Sequence, residues 1–274
     1  MAAGLAVPSM LSGEESQLYH WLGRQAQGFG ATVDLGAFAG GSAARLLSGL
    51  SLSGQPHHLH AYDHFTASAD VWARFLPLVP VRPTDPTNIL PVAEQHLAPW
   101  RTAVTLHRGD IRDQRWHGGA VEVLVVDAAK GSAVADHIAA EFFPALVAGR
   151  SIVVQQDYLQ PIQPWLPAQM VALADHFVPL ARVASDCMVF LCRSVPTTAA
   201  LAAARTDPLT DGALMKRVRE AARWHEGMVL RPPFQAMLAA IKAHPGARLS
   251  WQLKKTGPGG GARKARSGHP ARPG

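Results

Sequence analysis

The chain reads as an α/β protein. It predicts a doubly wound, mostly parallel seven-stranded sheet with an antiparallel strand pair at its end and extra C-terminal helices. Three observations carry that expectation. Short apolar runs alternate with longer segments of helical periodicity as far as about residue 195, and such alternation implies right-handed crossovers, parallel strands and helices on both faces. Four of the runs end in a carboxylate: Asp34, Asp63, Asp127 and Asp157. The first of them leads at once into a turn of small residues, Gly36-Ala37-Phe38-Ala39-Gly40-Gly41-Ser42, and then into a helix.

The elements follow in order. Ser12-Gly13-Glu14-Glu15 has the form of a capping box, so a helix is expected over Gly13–Gln27, with Leu18, Trp21, Leu22 and Gln25 at helical spacing and Gly28 and Gly30 ending it. Ala31–Leu35 is the first strand, and the helix Ala43–Leu50 follows the glycine turn. His58–Asp63 is the second strand. Val71–Leu78 reads as helical, four prolines (Pro80, Pro83, Pro86 and Pro91) then interrupt, and Val92–Leu97 resumes the helical pattern. Ala103–His107, Val121–Asp127 and Ser151–Gln156 complete the parallel strands, with a helix over Val134–Leu146 closed by Gly149. Trp165–Phe177 reads as a helix, Leu180–Ala184 with Met188–Arg193 as the antiparallel pair, and Leu214–Leu230 as the best-formed helix beyond it. The division expected is an N-terminal helix packing on the core (1–30), a main α/β domain (31–195), a helical extension (196–250) and a basic tail (251–274).

The net charge of +6 is local: Lys254, Lys255, Arg263, Lys264, Arg266 and Arg272 supply all of it, and the rest of the chain is balanced. The tail is rich in glycine and proline and is expected to be solvated and disordered, so it does not imply nucleic acid. Cys187 and Cys192, five apart, would face opposite sides of one strand, and no disulfide is expected. The N-terminus has no basic residue before its apolar stretch, Pro8 interrupts that stretch, and no run reaches the length of a membrane span. These features imply a cytoplasmic protein with no membrane partner. The helix Gly13–Gln27 and the C-terminal helices offer faces for a homodimer.

Ligands of open α/β sheets bind beyond the C-terminal strand ends, where the four carboxylates fall. Backbone N–H groups at the start of the helix after Gly40 would face a ligand held in the turn. A dinucleotide fingerprint wants glycine where Phe38 stands, so the pattern is Asp-x-Gly-x-x-x-Gly-Gly-Ser instead. Asp63, with His64 and Phe65 beside it, suits a ribose and an adjoining ring. Asp110, followed by Ile111 after the third strand, is placed to cap a helix. His57, His58, His60 and His64 have no cysteine or carboxylate partner at ligand spacing, so no metal is expected there.

Asp34–Ser42, Tyr62-Asp63-His64-Phe65, Asp127 and the stretch from Phe143-Pro144 to Gln156-Asp157-Tyr158 resemble class I S-adenosylmethionine-dependent methyltransferases, within them the macrocin and sugar O-methyltransferase group, over about residues 12–193. The resemblance implies a Rossmann-like methyltransferase fold and transfer of a methyl group from S-adenosylmethionine to a hydroxyl of a small molecule or sugar. It implies cofactor contacts from Asp34, Gly36, Ala37, Phe38, Gly40 and Ser42, from Asp63, His64 and Phe65, and from Asp110 and Ile111. Within it, Asp34 would hold the loop and accept from the cofactor's ammonium, directly or through water, Gly36 and Gly40 would let the backbone approach it, and Ser42 would cap the helix and donate to its carboxylate. Asp127-Ala128-Ala129-Lys130 resembles the Asp-x-x-Lys of catechol-type enzymes, which implies that Asp127, Lys130 or Asp157 takes the acceptor proton and that Asp127 and Asp157 hold Mg2+. Lys130 reads equally as an exposed lysine at a helix start. The group's second acids are replaced by Ala129 and Tyr158. The prolines and aromatics of 158–165 would form part of a substrate wall. An Asn/Asp-Pro-Pro-Tyr motif, used by enzymes that methylate bases, is absent. The alternatives are a non-catalytic S-adenosylmethionine-binding or scaffolding module and a nicotinamide-dependent oxidoreductase.

Overall fold

Ser12 caps a helix as its spacing predicts: its hydroxyl accepts from the Glu15 N–H at 3.2 Å while the Glu15 carboxylate accepts from the Ser12 N–H. In a computed structural model that describes residues 2–76, 85, 87–229 and 231–253, a short helix α1 (Ala2–Ala6) precedes this helix, α2 (Gly13–Arg24). Strand β1 (Ala31–Leu35) leads into α3 (Gly41–Leu50), then β2 (Leu59–Asp63), α4 (Ala69–Phe75), α5 (Leu90–Leu97) and β3 (Val104–Arg108). Next come β4 (Val121–Val126), α6 (Ser132–Phe142), β5 (Ile152–Gln155) and α7 (Trp165–Ala172). The antiparallel pair is β6 (Phe177–Val183) and β7 (Cys187–Cys192), and α8 (Thr198–Ala204), α9 (Asp211–Trp224) and α10 (Pro232–Ala243) follow.

The seven strands form one sheet in the order β3-β2-β1-β4-β5-β7-β6. The first five pair in parallel, and β7 runs antiparallel to both β5 and β6. The order reverses between β1 and β4, where Leu35 lies beside Val126; this is the point at which a crevice opens in a doubly wound sheet. One face is covered by α6, α7 and the C-terminal helices, the other by α2, α3 and α5. Cys192 packs in the first core and Cys187 in the second, both as free thiols, in agreement with their predicted opposition.

Helices α2 and α3 cross very closely. A Cβ on Gly23 would lie 2.2 Å from the Leu46 carbonyl oxygen, and one on Gly49 would lie 2.1 Å from that of His20. The buried Arg45 of α3 donates to the carbonyls of Gly4, Val7 and Gly41 at 3.2, 2.9 and 2.8 Å, and so fixes the segment after α1 against the start of α3. That places Pro8–Leu11 above the turn that follows β1.

Some boundaries depart from expectation. The helix expected over Trp165–Phe177 stops at Ala172, because Phe177 is wholly buried and begins β6 opposite Cys192. The helix expected over Leu214–Leu230 runs from Asp211 to Trp224, capped by the Thr210 hydroxyl. The expected end of α4 at Leu78, the prolines 80, 83 and 86, Leu230 and the basic residues of 254–274 lie outside the described residues. Among the described residues no helix is long and apolar enough to cross a membrane.

Candidate active site

Where the strand order reverses, the ends of β1, β2, β4 and β5 surround a cavity of about 830 Å3, within the usual range for a small-molecule site. Gly36 and Phe38 from the first turn, Asp63 and His64 after β2, and Asp110 and Ile111 after β3 line one side. Asp127, Lys130 and Asp157 line the other. Ala37 and Ser42 face a smaller space of about 30 Å3 between the turn and Pro8–Leu11, shared with Gly36, Phe38 and Asp127.

The turn is backbone-driven. Gly36 and Gly40 have φ of 104° and 87°, and Phe38 is left-handed at 48°, a conformation that costs energy for a residue with a side chain. Asp63 compensates: its Oδ2 accepts from the Phe38 N–H at 2.9 Å and its Oδ1 from the Phe65 N–H at 2.7 Å. Burial pushes the Asp63 carboxyl up against the pull of these two N–H groups. Each oxygen keeps a further lone pair, and the residue lines the cavity.

Several expectations are corrected here. Asp34 does not reach the cavity. It is fully buried behind the turn, its Oδ2 accepts from the Ser42 hydroxyl at 2.6 Å, and its Oδ1 has no partner among the described residues. Burial raises its pKa to about 7, against the Ser42 hydrogen bond and with help from the charges of Asp127 and Asp63. Ser42 does not cap α3; Gly40 does, with no side-chain bond, because the helix starts one residue before Ser42. Gly40 leaves no space for a ligand, since a Cβ there would lie 3.0 Å from Leu97 Cγ. Its glycine serves the positive φ and that contact. Phe65, left-handed at φ 52°, is turned away from the cavity into a core with Ala39, Leu76, Ile89 and Val92. Asp110 lines the cavity but is engaged by Arg112, which it caps through the backbone N–H and binds through the guanidinium at 2.5 Å; that side-chain bond holds its pKa near 2.

On the far side, Lys130 is not a free surface lysine. Its Nζ lies 2.5 Å from Asp127 Oδ1 and also donates to Asp157 Oδ2. Burial acts to lower its pKa, but the two carboxylates prevail and hold the ammonium above its ordinary range. Burial likewise raises the Asp127 carboxyl, opposed by Lys130. The residues do not suit Mg2+: the Lys130 ammonium takes the carboxylate oxygens a cation would use, and Tyr158 points elsewhere. The Tyr158 hydroxyl is buried 2.8 Å from His225 Nε2 of α9's C-terminal end. Trp165, also buried, donates to the Ala129 carbonyl at 2.8 Å and supports the Asp127–Lys130 turn. None of the expected substrate wall at 158–165 lines the cavity: Tyr158, Leu159 and Trp165 are core, and residues 160–162 are half-buried elsewhere.

The wall comes from elsewhere. The Ser250 N–H donates to the Lys130 carbonyl at 2.9 Å and the Ser132 N–H to the Arg248 carbonyl at 3.0 Å, pairing this last segment with the start of α6. Leu249 and Trp251 thereby line the cavity opposite Met10. Trp251 is 59% exposed and Met10 55%. Gln156 also lines it, held by the Tyr19 hydroxyl at 2.6 Å and by Glu15 at 2.5 Å. Nothing local in the sequence marks Leu249, Trp251 or Met10. The alternation at 155–157 could have marked Gln156, which sits at a strand end beside Asp157. His60 of β2 takes a structural role: it stacks on His107, with its Nδ1 3.0 Å from His107 Nε2, and meets Trp116 edge to face.

This arrangement is shared with a solved methyltransferase. The O-methyltransferase NovP superposes with a TM-score of 0.54 at 13% identity, over 68% of this chain and 82% of that one. A methyltransferase of Podospora anserina, PaMTH1, solved with SAH bound, gives a TM-score of 0.45 at 13% identity, over 68% and 80% of the two chains. No protein-family model and no curated protein matches the chain in sequence. The likeness to NovP establishes the fold, the class I methyltransferase arrangement expected from the glycine turn.

Proposed function

We propose that the chain transfers the methyl group of S-adenosylmethionine to a hydroxyl of a small-molecule or glycan acceptor. The observation that carries this is the meeting, in one cavity at the β1/β4 reversal, of the Gly36–Phe38 turn held by Asp63 with the Asp127–Lys130–Asp157 cluster. The likeness in fold to the O-methyltransferase NovP supports it.

The residues fit the cofactor. The turn and Asp63, with lone pairs to spare for ribose hydroxyls, would hold the nucleoside, with Ile111 and His64 near the base. Ala37 and Ser42 would reach its amino acid end. When bound, the sulfonium supplies an already activated methyl group, so the chain's own task is alignment and proton removal. With the cofactor held by the Gly36–Phe38 turn and Asp63, its methyl carbon would pass to the acceptor oxygen and its sulfur would keep the electron pair of the broken carbon–sulfur bond. The acceptor's proton passes to a carboxylate of the Asp127–Asp157 pair, of which burial raises the Asp127 carboxyl. Lys130, held as an ammonium, does not take that proton and instead places positive charge beside the developing oxyanion. Leu249, Trp251 and Met10 give the acceptor an apolar seat.

Calorimetry with S-adenosylhomocysteine tests the reading. Binding in the micromolar range is expected, lost in Asp63→Ala. No heat at high micromolar ligand would sink it. Labelled methyl transfer into fractions of a cell extract then identifies the acceptor.

A further inference from the structure

The Asp127–Asp157 pair needs a positive charge between its carboxylates, and the chain supplies one. We infer that the Lys130 ammonium permanently takes the place of a divalent cation, so that the site works without a metal.

The backbone that carries Lys130 is held on both sides. Trp165 Nε1 donates to the Ala129 carbonyl at 2.8 Å, and the Ser250 N–H to the Lys130 carbonyl at 2.9 Å. The side chain, three residues after Asp127, turns back to lie 2.5 Å from Asp127 Oδ1 while donating to Asp157 Oδ2. Gln163 Nε2 donates to that same Asp157 oxygen at 2.5 Å. The oxygens facing one another are therefore already used as acceptors by N–H groups, which a hard cation cannot share. Among the described residues a third oxygen ligand is missing as well, because the Tyr158 hydroxyl is buried against His225. Among the described residues no group of three metal-ligating side chains gathers. A tethered ammonium stabilises both carboxylates, which would otherwise repel.

The inference rests on reading this edge as the acceptor side of the site, yet its test needs neither cofactor nor acceptor. Mn2+ is titrated into the full chain and free Mn2+ is followed by electron paramagnetic resonance. Wild type is expected to bind no Mn2+ at the pair up to millimolar concentration. Lys130→Ala, which uncovers the carboxylates, is expected to bind at least tenfold more tightly, and adding Asp157→Asn to it is expected to abolish the gain. Lys130→Gln, which removes the charge but keeps a polar side chain with a donor, supplies the same comparison should the alanine variant fail to fold. Wild-type Mn2+ binding that Asp127→Asn or Asp157→Asn removes would overturn the inference. So would folded Lys130 variants that bind no more Mn2+ than wild type. S-adenosylhomocysteine binding is measured on the same samples, so failure of the methyl-transfer reading is seen separately.

Discussion

Asp63 Oδ2 accepts the Phe38 N–H at 2.9 Å, so the end of β2 fixes the turn that follows β1. The bond holds a phenylalanine at φ 48°, where most side chains are strained. Its second oxygen meanwhile fixes Phe65. One carboxylate thus organises two left-handed residues and still faces the cavity. Asp63→Asn keeps a single acceptor oxygen and presents an amide group to an N–H. We expect a stability loss of about 1–3 kcal/mol in urea unfolding, and at least a tenfold loss of S-adenosylhomocysteine affinity by calorimetry.

Asp34 predicts a pH dependence. Its ordinary pKa is 3.8, and burial raises it to about 7 in the folded chain. Between those values the folded state keeps a proton that the unfolded state has lost, so this contribution is complete below about 4 and disappears as the pH rises through 7. Asp34→Asn, which still accepts from Ser42, removes the effect. Urea unfolding at pH 5 and pH 8 should show the variant gaining on wild type at the higher pH, by on the order of 2 kcal/mol. An unchanged difference between the two pH values would refute the assignment.

Tyr158 separates structure from chemistry at a position where the resemblance implies an acid. Tyr158→Phe removes the partner of His225 Nε2, whose other ring nitrogen is already without one among the described residues. The loss expected is about 1–3 kcal/mol, read as a lower Tm. S-adenosylhomocysteine affinity should stay within twofold, because the side chain does not line the cavity.

Trp251→Ala tests the acceptor seat. Loss of an aromatic contact worth about 0.5–1.5 kcal/mol should raise the acceptor's KM by roughly 2- to 10-fold. The KM for S-adenosylmethionine should hold steady. Equal change in both would place Trp251 outside the acceptor's contacts.

The architecture was legible in the sequence because each signal was local. The apolar runs, the Ser12–Glu15 capping box and the strand-end carboxylates all depend on neighbours in the chain, and the strands appear within a few residues of expectation. Side-chain direction was less legible. Phe65 and Asp34 stand in the right segments, but a left-handed turn sends one into a core and Ser42, at the start of the next helix, fixes the other behind the loop. The lysine between two carboxylates was half visible: the Asp-x-x-Lys spacing was plain, while its approach to Asp157 needed the parallel register of β4 and β5. Leu249 and Trp251 were invisible, since only tertiary pairing of a distant segment with Lys130 and Ser132 brings them to the site.

That pairing sets an order of assembly. A chain leaving the ribosome has every strand of the sheet once Cys192 has emerged, and with it the glycine turn and the strand-end acids. The segment around Leu249 arrives only after α8, α9 and α10. Until it emerges, the cavity that Gly36, Asp63, Asp127 and Lys130 line lacks the wall that Leu249 and Trp251 supply. The last wall of the cavity is therefore the last part of it to be synthesised.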